Sequence, residues 1–264
     1  MEPGIYPNIP EDEYHASNGV SVSKLKIFAK APAKARYGEK KEAKALSFGS
    51  LIHCAVLQSH LLETLYHPCD LERLNPRDGA YKEEAAKAMG RELVKRPEFE
   101  NALRIRDAVH KHPVAAELLK PQLLVEQSFY WIDEETGLLC RGRADGIRPE
   151  MRILVDLKST EDASEVEFGW SCRNYKYHWQ DAFYRDGVEA ACGWTPEAFI
   201  FLAVEKEAPF LVGAYELSPA DLEEGRQEVR AQLTRYADCQ RNNDWPGYSP
   251  TLETLTLPRR AVYA

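Results

Sequence analysis

From Leu124 onward the hydrophobic period of the chain changes from that of helices to two, and this constrains the fold more than any other feature. Residues 124–132 alternate as a strand, Asp133-Glu134-Glu135-Thr136-Gly137 has turn chemistry, and residues 138–147 alternate again. Arg148-Pro149-Glu150 turns the chain once more into a third strand over 153–158. In an antiparallel hairpin, residues equidistant from the turn centre face one another. Asp145 and Asp156 are centred on the second turn, between Glu150 and Met151. Glu126 and Asp145 are centred on the first, between Glu135 and Thr136. Three carboxylates on three adjacent strands therefore form a row, with Lys158 on the same face two residues beyond Asp156. Aligned acids raise one another's pKa unless a cation intervenes. Hard divalent ions take carboxylate oxygens and activate water against a phosphodiester. A neighbouring ammonium can orient that water and offset developing negative charge. The plainer alternative is a surface salt-bridge row with Lys158 and Arg143. The buried-type strand start Ile153-Leu154-Val155 counts against it.

Helical patterns surround the meander. Residues 1–20, rich in Pro, Asn and acids, are expected to wrap the surface. Ser21 or Ser23 caps a helix that runs to Ala29 and stops before Pro32. Residues 48–58 carry Phe48, Ile52, Ala55 and Val56 at helical spacing and place His53 near the middle. Residues 81–120 read as two or three helices broken at Pro97 and Pro113. Residues 174–192 form a helix stopped by Gly193, with Gln180 and Tyr184 on one face and Tyr177 a turn earlier. That pair suits a phosphate or water contact as well as it suits a half-buried hydrogen-bonded pair. Two more strands, 198–204 and 210–217, precede a long helix opened by Ser218-Pro219. The order defines an α/β or α+β protein, and 264 residues favour a single domain, 1–264.

With 34 Lys and Arg against 42 Asp and Glu, the net charge of −8 excludes a simple basic coat for nucleic acid. Binding to such a polymer would depend on local patches, metal ions or a shaped channel. One patch stands out: Lys24, Lys26, Lys30, Lys34, Arg36, Lys40, Lys41 and Lys44, opposed only by Glu39 and Glu42. A solvated helical face is its plain alternative. The six cysteines include no C-x-x-C pair, which argues against a zinc ribbon, a redox dithiol or a clustered iron–sulfur site, and all read as reduced. His67-Pro68-Cys69 and His110-Lys111-His112 have no partner pair at ligand spacing and read as surface residues. No apolar run reaches membrane-spanning length, and Met1-Glu2-Pro3-Gly4 lacks signal-peptide character, so no membrane and a cytoplasmic location are expected. No Walker A motif is present.

Asp145 and Asp156-Leu157-Lys158, followed by Gln180-Asp181-Ala182-Phe183-Tyr184, resemble the PD-(D/E)xK nuclease signature with the Q-x-x-x-Y motif of its RecB-like branch. Ala144 stands where the signature has Pro. Leu46-Ser47-Phe48-Gly49-Ser50-Leu51-Ile52-His53 resembles that branch's glycine-containing helix with a metal-binding histidine. The run from Tyr175 to Tyr184, the opening Tyr14-His15 and Ser21-Val22-Ser23-Lys24-Leu25, and the closing Trp245-Pro246 and Leu257-Pro258-Arg259 are similar to the carboxy-terminal nuclease domain family of RecE (exonuclease VIII). The similarity spans nearly the whole chain.

That resemblance implies a restriction-endonuclease-like core, a central mixed β-sheet flanked by helices, with a helical portion over about 1–120 and the core over about 121–264. It implies Asp145, Asp156, the Leu157 carbonyl and His53 as metal ligands, with Glu126 completing a second site or holding water. Lys158 would activate the attacking water, and Gln180 and Tyr184 would position the scissile phosphate. Ser23, Lys24, Arg36, Arg141 and Arg143 would contact DNA, with Arg148 also lining a channel. The implied cofactor is Mg²⁺, two ions per site, with Mn²⁺ substituting. The implied activity is processive 5′→3′ hydrolysis of linear double-stranded DNA ends to mononucleotides, leaving 3′ tails for annealing-type recombination. The implied partners are a single-strand annealing protein of the RecT or Beta type and further copies of the chain in a trimeric or tetrameric ring. A bacterial chain, phage or prophage encoded, is the implied source. Three rivals stand beside it. A Cas4-like or helicase-linked end processor would carry clustered cysteines. A non-catalytic DNA-end clamp would tolerate loss of Asp156 or Lys158, and a small-substrate phosphatase would not need the basic run.

Overall fold

The computed structural model describes residues 1–7, 9–39 and 48–256. Lys40, Lys41 and Lys44 of the basic run, and Leu46-Ser47 and Leu257-Pro258-Arg259 of the resemblance, lie outside the described residues. In chain order the strands are β1 (Gly4–Pro7), β2 (Tyr66–Cys69), β3 (Glu92–Lys95), β4 (Leu124–Ile132), β5 (Leu139–Arg148), β6 (Ile153–Thr160), β7 (Ala198–Glu205) and β8 (Val212–Tyr215). The α-helices are α1 (Glu11–Ala16), α2 (Val22–Lys30), α3 (Pro32–Tyr37), α4 (Phe48–Leu57), α5 (Leu62–Leu65), α6 (Gly79–Ala88), α7 (Arg96–Lys111), α8 (Pro113–Leu118), α9 (Glu165–Asn174), α10 (Tyr177–Cys192) and α11 (Pro219–Asn242).

The alternating segments form the middle of a six-stranded sheet ordered β1-β4-β5-β6-β7-β8. Every neighbouring pair is antiparallel except β6 and β7, which are parallel and joined through α9 and α10. The expected mixed sheet flanked by helices is thus the architecture. Alternation sends Val155 and Leu157 to one face, where Ile52 and Val56 of α4 and Ile105 and Val109 of α7 cover them. Leu154, Phe199 and Phe201 point to the other face, under Trp179, Phe183 and Val188 of α10. Each large apolar side chain so buried contributes about 1.5–3 kcal/mol relative to exposure.

Several elements differ from the sequence reading. The first 20 residues do more than wrap the surface: β1 adds an edge strand beside β4, and Tyr14 and Val20 are buried. The portion expected to be helical also contains β2 and β3, a parallel two-stranded sheet. Pro97 and Pro113 sit in the first turns of α7 and α8, where a missing N–H costs nothing, so they start helices and break none. Asn174 closes α9 where the reading began a helix, and Lys176 in the left-handed region (φ 53°) separates α9 from α10. Gly193 (φ 73°) ends α10 as expected. Ser21, whose side chain accepts the Lys24 N–H at 3.2 Å, is the cap of α2, and Ser23 lies exposed in its first turn. All six cysteines are free thiols. His67 lies 3.7 Å from Glu84, His110 bonds the Val56 carbonyl and His112 caps α8, so both histidine motifs serve the fold. Among the described residues no helix is long and apolar enough to cross a membrane.

Candidate active site

The register that the turns imply is the one observed. β4 and β5 pair Val125 with Gly146 and Gln127 with Ala144, and β5 and β6 pair Gly146 with Val155 and Ile147 with Leu154. Glu126 therefore stands opposite Asp145, and Asp145 opposite Asp156, yet neither is a ladder pair. Glu126 takes φ 52°, a left-handed conformation that interrupts its ladder. On the other side the β5–β6 ladder stops at Gly146 and Val155, and beyond it β6 pairs only with β7. The two strands part at Asp145. The Leu157 N–H, released from β5, donates to Asp145 Oδ2 at 2.8 Å, which satisfies a donor that would otherwise be buried unpaired.

Side chains from both faces of the sheet meet in that split. His53 of α4 brings Nδ1 to 3.5 Å from Asp145 Oδ2. His53, Glu126 and Asp145 each offer a ligand atom within 4.8 Å of the others. Asp156, expected among the ligands, stands outside this trio. Its Oδ1 accepts from Gln180 Nε2 of α10 at 2.5 Å, and its Oδ2 forms an ion pair with Lys158 without a well-directed hydrogen bond. Burial first, then the Asp145 charge, pushes the Glu126 carboxyl up to about 7 against the pull of Arg143. Burial raises Asp156 as well, opposed by Lys158 and reinforced by Asp145. Burial works against the Lys158 charge, but Asp156 and Asp145 outweigh it and hold its pKa above the ordinary lysine range. One imidazole and two carboxylates under mutual repulsion are a donor set that fits a hard or borderline divalent cation. A cavity of about 240 Å³ opens beside Lys158, with Ser159, Thr160, Ser171, Tyr175 and Tyr177 in its lining.

The remaining expected residues are placed unevenly. Gln180 holds Asp156 instead of facing an open phosphate site. Tyr184 is buried beside Phe129, ring centroids 5.3 Å apart, and burial drives its hydroxyl pKa well above the usual value. Leu157 is seen to act through its N–H. Arg141 and Arg143 were expected on DNA, and both half-buried guanidinium groups make contacts within the chain. Arg141 binds the Tyr14 carbonyl and Ser17 Oγ, and Arg143 binds Ser128 Oγ at 2.9 Å and the Ile9 carbonyl at 2.7 Å. Both also stack on the Tyr14 ring, so these arginines clamp the amino-terminal arm. Arg148, expected toward a channel, is buried on the Glu117 and Leu118 carbonyls. Lys24 and Arg36 lie over the Tyr236 and Trp245 rings at 5.3 and 5.8 Å, and Arg36 is exposed. Lys26 of α2, which the sequence placed only within the basic run, approaches the Lys158 end of the site. Its ammonium lies 5.5 Å from the Tyr177 ring centroid, and Lys158 lies 4.8 Å from the same ring. The signal was available: Lys26 is four residues from buried Val22, a charge beside an apolar stripe.

A split meander with a histidine from one face, carboxylates at the split and an Asp-x-Lys strand end defines a PD-(D/E)xK-type site on its own sheet. The chain belongs to the family described as "PDDEXK-like domain of unknown function (DUF3799)", matched over residues 21–258. It is similar to a crystal structure from Eubacterium rectale described as a "Putative exonuclease", with a TM-score of 0.64, 15% identity and 96% of each chain covered. At that identity the likeness shows the fold. The crystal structure of SSO0001 aligns over 86% of this chain and 88% of its own at 14% identity with a TM-score of 0.32, too low to carry an argument. No curated protein matches the sequence significantly.

Proposed function

We propose that the chain is a divalent-metal-dependent exodeoxyribonuclease that degrades linear double-stranded DNA processively from 5′ ends. It releases mononucleotides and leaves 3′ single-stranded tails. The observation that carries the reading is the convergence of His53, Glu126 and Asp145 beside the Asp156–Lys158 pair, where β5 and β6 part. Mg²⁺, or Mn²⁺ in its place, would be held by His53, Glu126 and Asp145. When bound, such an ion neutralises a phosphodiester and lowers the pKa of water. The chain's own groups do the rest. Lys158, kept charged by Asp156 and Asp145, orients the attacking water and offsets negative charge in the transition state. Gln180 fixes the Asp156 carboxylate, and the Leu157 N–H fixes that of Asp145, as hydrogen bonds behind a ligand do. Strand polarity, processivity, a second metal ion, a ring of three or four copies, an annealing partner of the RecT or Beta type and a phage or prophage source are supported by the motif resemblance. The name carried by the Eubacterium rectale neighbour points toward an exonuclease as well.

The test is digestion of linear duplex labelled at one 5′ or one 3′ end, with Mg²⁺ or with EDTA. Early, Mg²⁺-dependent loss of the 5′ label with persistence of the 3′-labelled strand is the expected result. Asp156→Ala should abolish cleavage with an unchanged circular dichroism spectrum. Lys158→Ala should slow single-turnover cleavage by about 10²–10³-fold. End binding without cleavage in Mg²⁺ and in Mn²⁺ would replace the nuclease by a DNA-end clamp.

A further inference from the structure

Three lysines gather where α2 and α10 approach the end of β6, and two have a carboxylate. Lys158 pairs with Asp156, and Lys176 lies 3.4 Å from Glu228. Lys26 is the third. Among the described residues its ammonium makes no ion pair and no hydrogen bond; its contact is the face of Tyr177, which Lys158 shares. Tyr177 packs against Tyr175 and Phe201, centroids 5.7 and 5.8 Å away, so the ring that both ammonium groups approach is itself held in place. Burial first, then repulsion from Lys158, lowers the Lys26 pKa to about 8; attraction to Asp156 opposes the shift and repulsion from Lys176 adds to it. A half-buried ammonium without a partner is costly, and a methionine would pack α2 against Tyr177 without that cost. Among the described residues no carboxylate pairs with the Lys26 ammonium. A DNA strand brings such a negative charge to the neighbouring site.

We propose that Lys26 binds a phosphate group of the DNA strand held at the active site, beside the Tyr177 ring that Lys158 also contacts. The proposal rests on the nuclease reading above. Lys26 enters no covalent step. It adds one phosphate contact that sets how far the strand advances past Lys158. Because the contact is ionic, it releases a counterion on binding and contributes about 0.9 to the slope of log affinity against log salt for duplex DNA.

The experiment compares the wild type with Lys26→Met and Lys26→Arg on a linear duplex carrying a 5′-phosphate or a 5′-hydroxyl. Binding is measured across a salt series with Ca²⁺ in place of Mg²⁺, cleavage with Mg²⁺, and stability by urea midpoint. The Met variant should bind about tenfold or more weakly, with a salt slope shallower by about 0.9. Its loss should fall in KM more than in kcat, with a urea midpoint equal to or above that of the wild type. The Arg variant should recover the slope. A weakening seen only on the 5′-phosphorylated duplex assigns the terminal monoester, and one seen on both assigns a backbone phosphodiester. A Met variant with wild-type affinity, slope and KM overturns the proposal. A Met variant whose weaker binding follows a lowered urea midpoint, unrestored by Arg, overturns it in favour of a packing role. If the wild type neither binds nor cuts linear DNA, the nuclease reading falls and this inference with it. If the wild type cuts and Met changes nothing, only this inference falls.

Discussion

Glu126 concentrates the cost of the site in one residue. Its backbone occupies a region that non-glycine residues adopt at an expense of about 1–3 kcal/mol, and its carboxyl pKa is raised to about 7. The folded protein therefore binds a proton at Glu126 that the unfolded chain releases near 4.5. A carboxyl with a raised native pKa weakens the fold as it ionises. In the metal-free protein the Glu126 contribution is most favourable below about 4.5 and is lost as pH rises through 7, a change on the order of 3 kcal/mol at most. Urea midpoints measured from pH 4 to 8 in EDTA should thus decline more steeply for the wild type than for Glu126→Gln. Added Mg²⁺ should narrow the difference by favouring the carboxylate. Parallel curves for the two proteins would remove Glu126 from the site. By contrast Glu84, hydrogen-bonded to Lys87, has a lowered pKa, as a carboxylate paired with an ammonium does.

At the scale of elements, α10 carries the site's second layer and has little freedom to move. His178, Trp179, Gln180, Asp181, Phe183 and Tyr184 are all buried, and Gln180 reaches Asp156 only if the helix keeps its height above β6. That height is set in part by α11. A Cβ on Gly225 would lie 2.4 Å from the His178 carbonyl oxygen and 2.8 Å from its carbon, backbone atoms that cannot turn aside. Gly→Ala within a helix ordinarily gains up to about 1 kcal/mol. Here the sign reverses. Gly225→Ala should lose about 1–3 kcal/mol in urea unfolding and lower cleavage through displaced Gln180. A stabilised variant would show that the α10–α11 approach is looser than described. The split between β5 and β6 is likewise a property of elements. It takes the ladder interruption at Glu126, the early end at Gly146 and the Asp145–Leu157 hydrogen bond together.

For the whole molecule, a net charge of −8 and a DNA substrate are compatible only if positive charge is collected on one surface. Arg141, Arg143 and Arg148 make internal contacts. Among the described residues the cations around α2, α3 and the end of α11 include Lys24, Lys26, Lys34, Arg36 and Arg235, each lying over an aromatic ring. A ring of copies that turned this surface inward would shield the acidic exterior from the polyanion. Light scattering should then give a multiple of 30.1 kDa at working concentration, and a monomer there would sink the ring.

Much of this was open to reading from residue order. The change of period at Leu124 marks the meander, turn chemistry sets its register, and the register puts Glu126, Asp145 and Asp156 opposite one another, because side-chain alternation and hairpin pairing are local rules. Ser218 and Gly193 announce a helix start and stop for the same local reason. Tertiary structure alone decided the rest. Where β5 leaves β6, which nitrogen fills the gap, that Asp156 turns to Gln180 and Lys158, that two arginines clamp an arm, and that Lys26 has no carboxylate among the described residues all depend on contacts between residues far apart in sequence. Such contacts are chosen by packing and by the demand that buried polar groups be paired, and neither leaves a periodic trace in the chain.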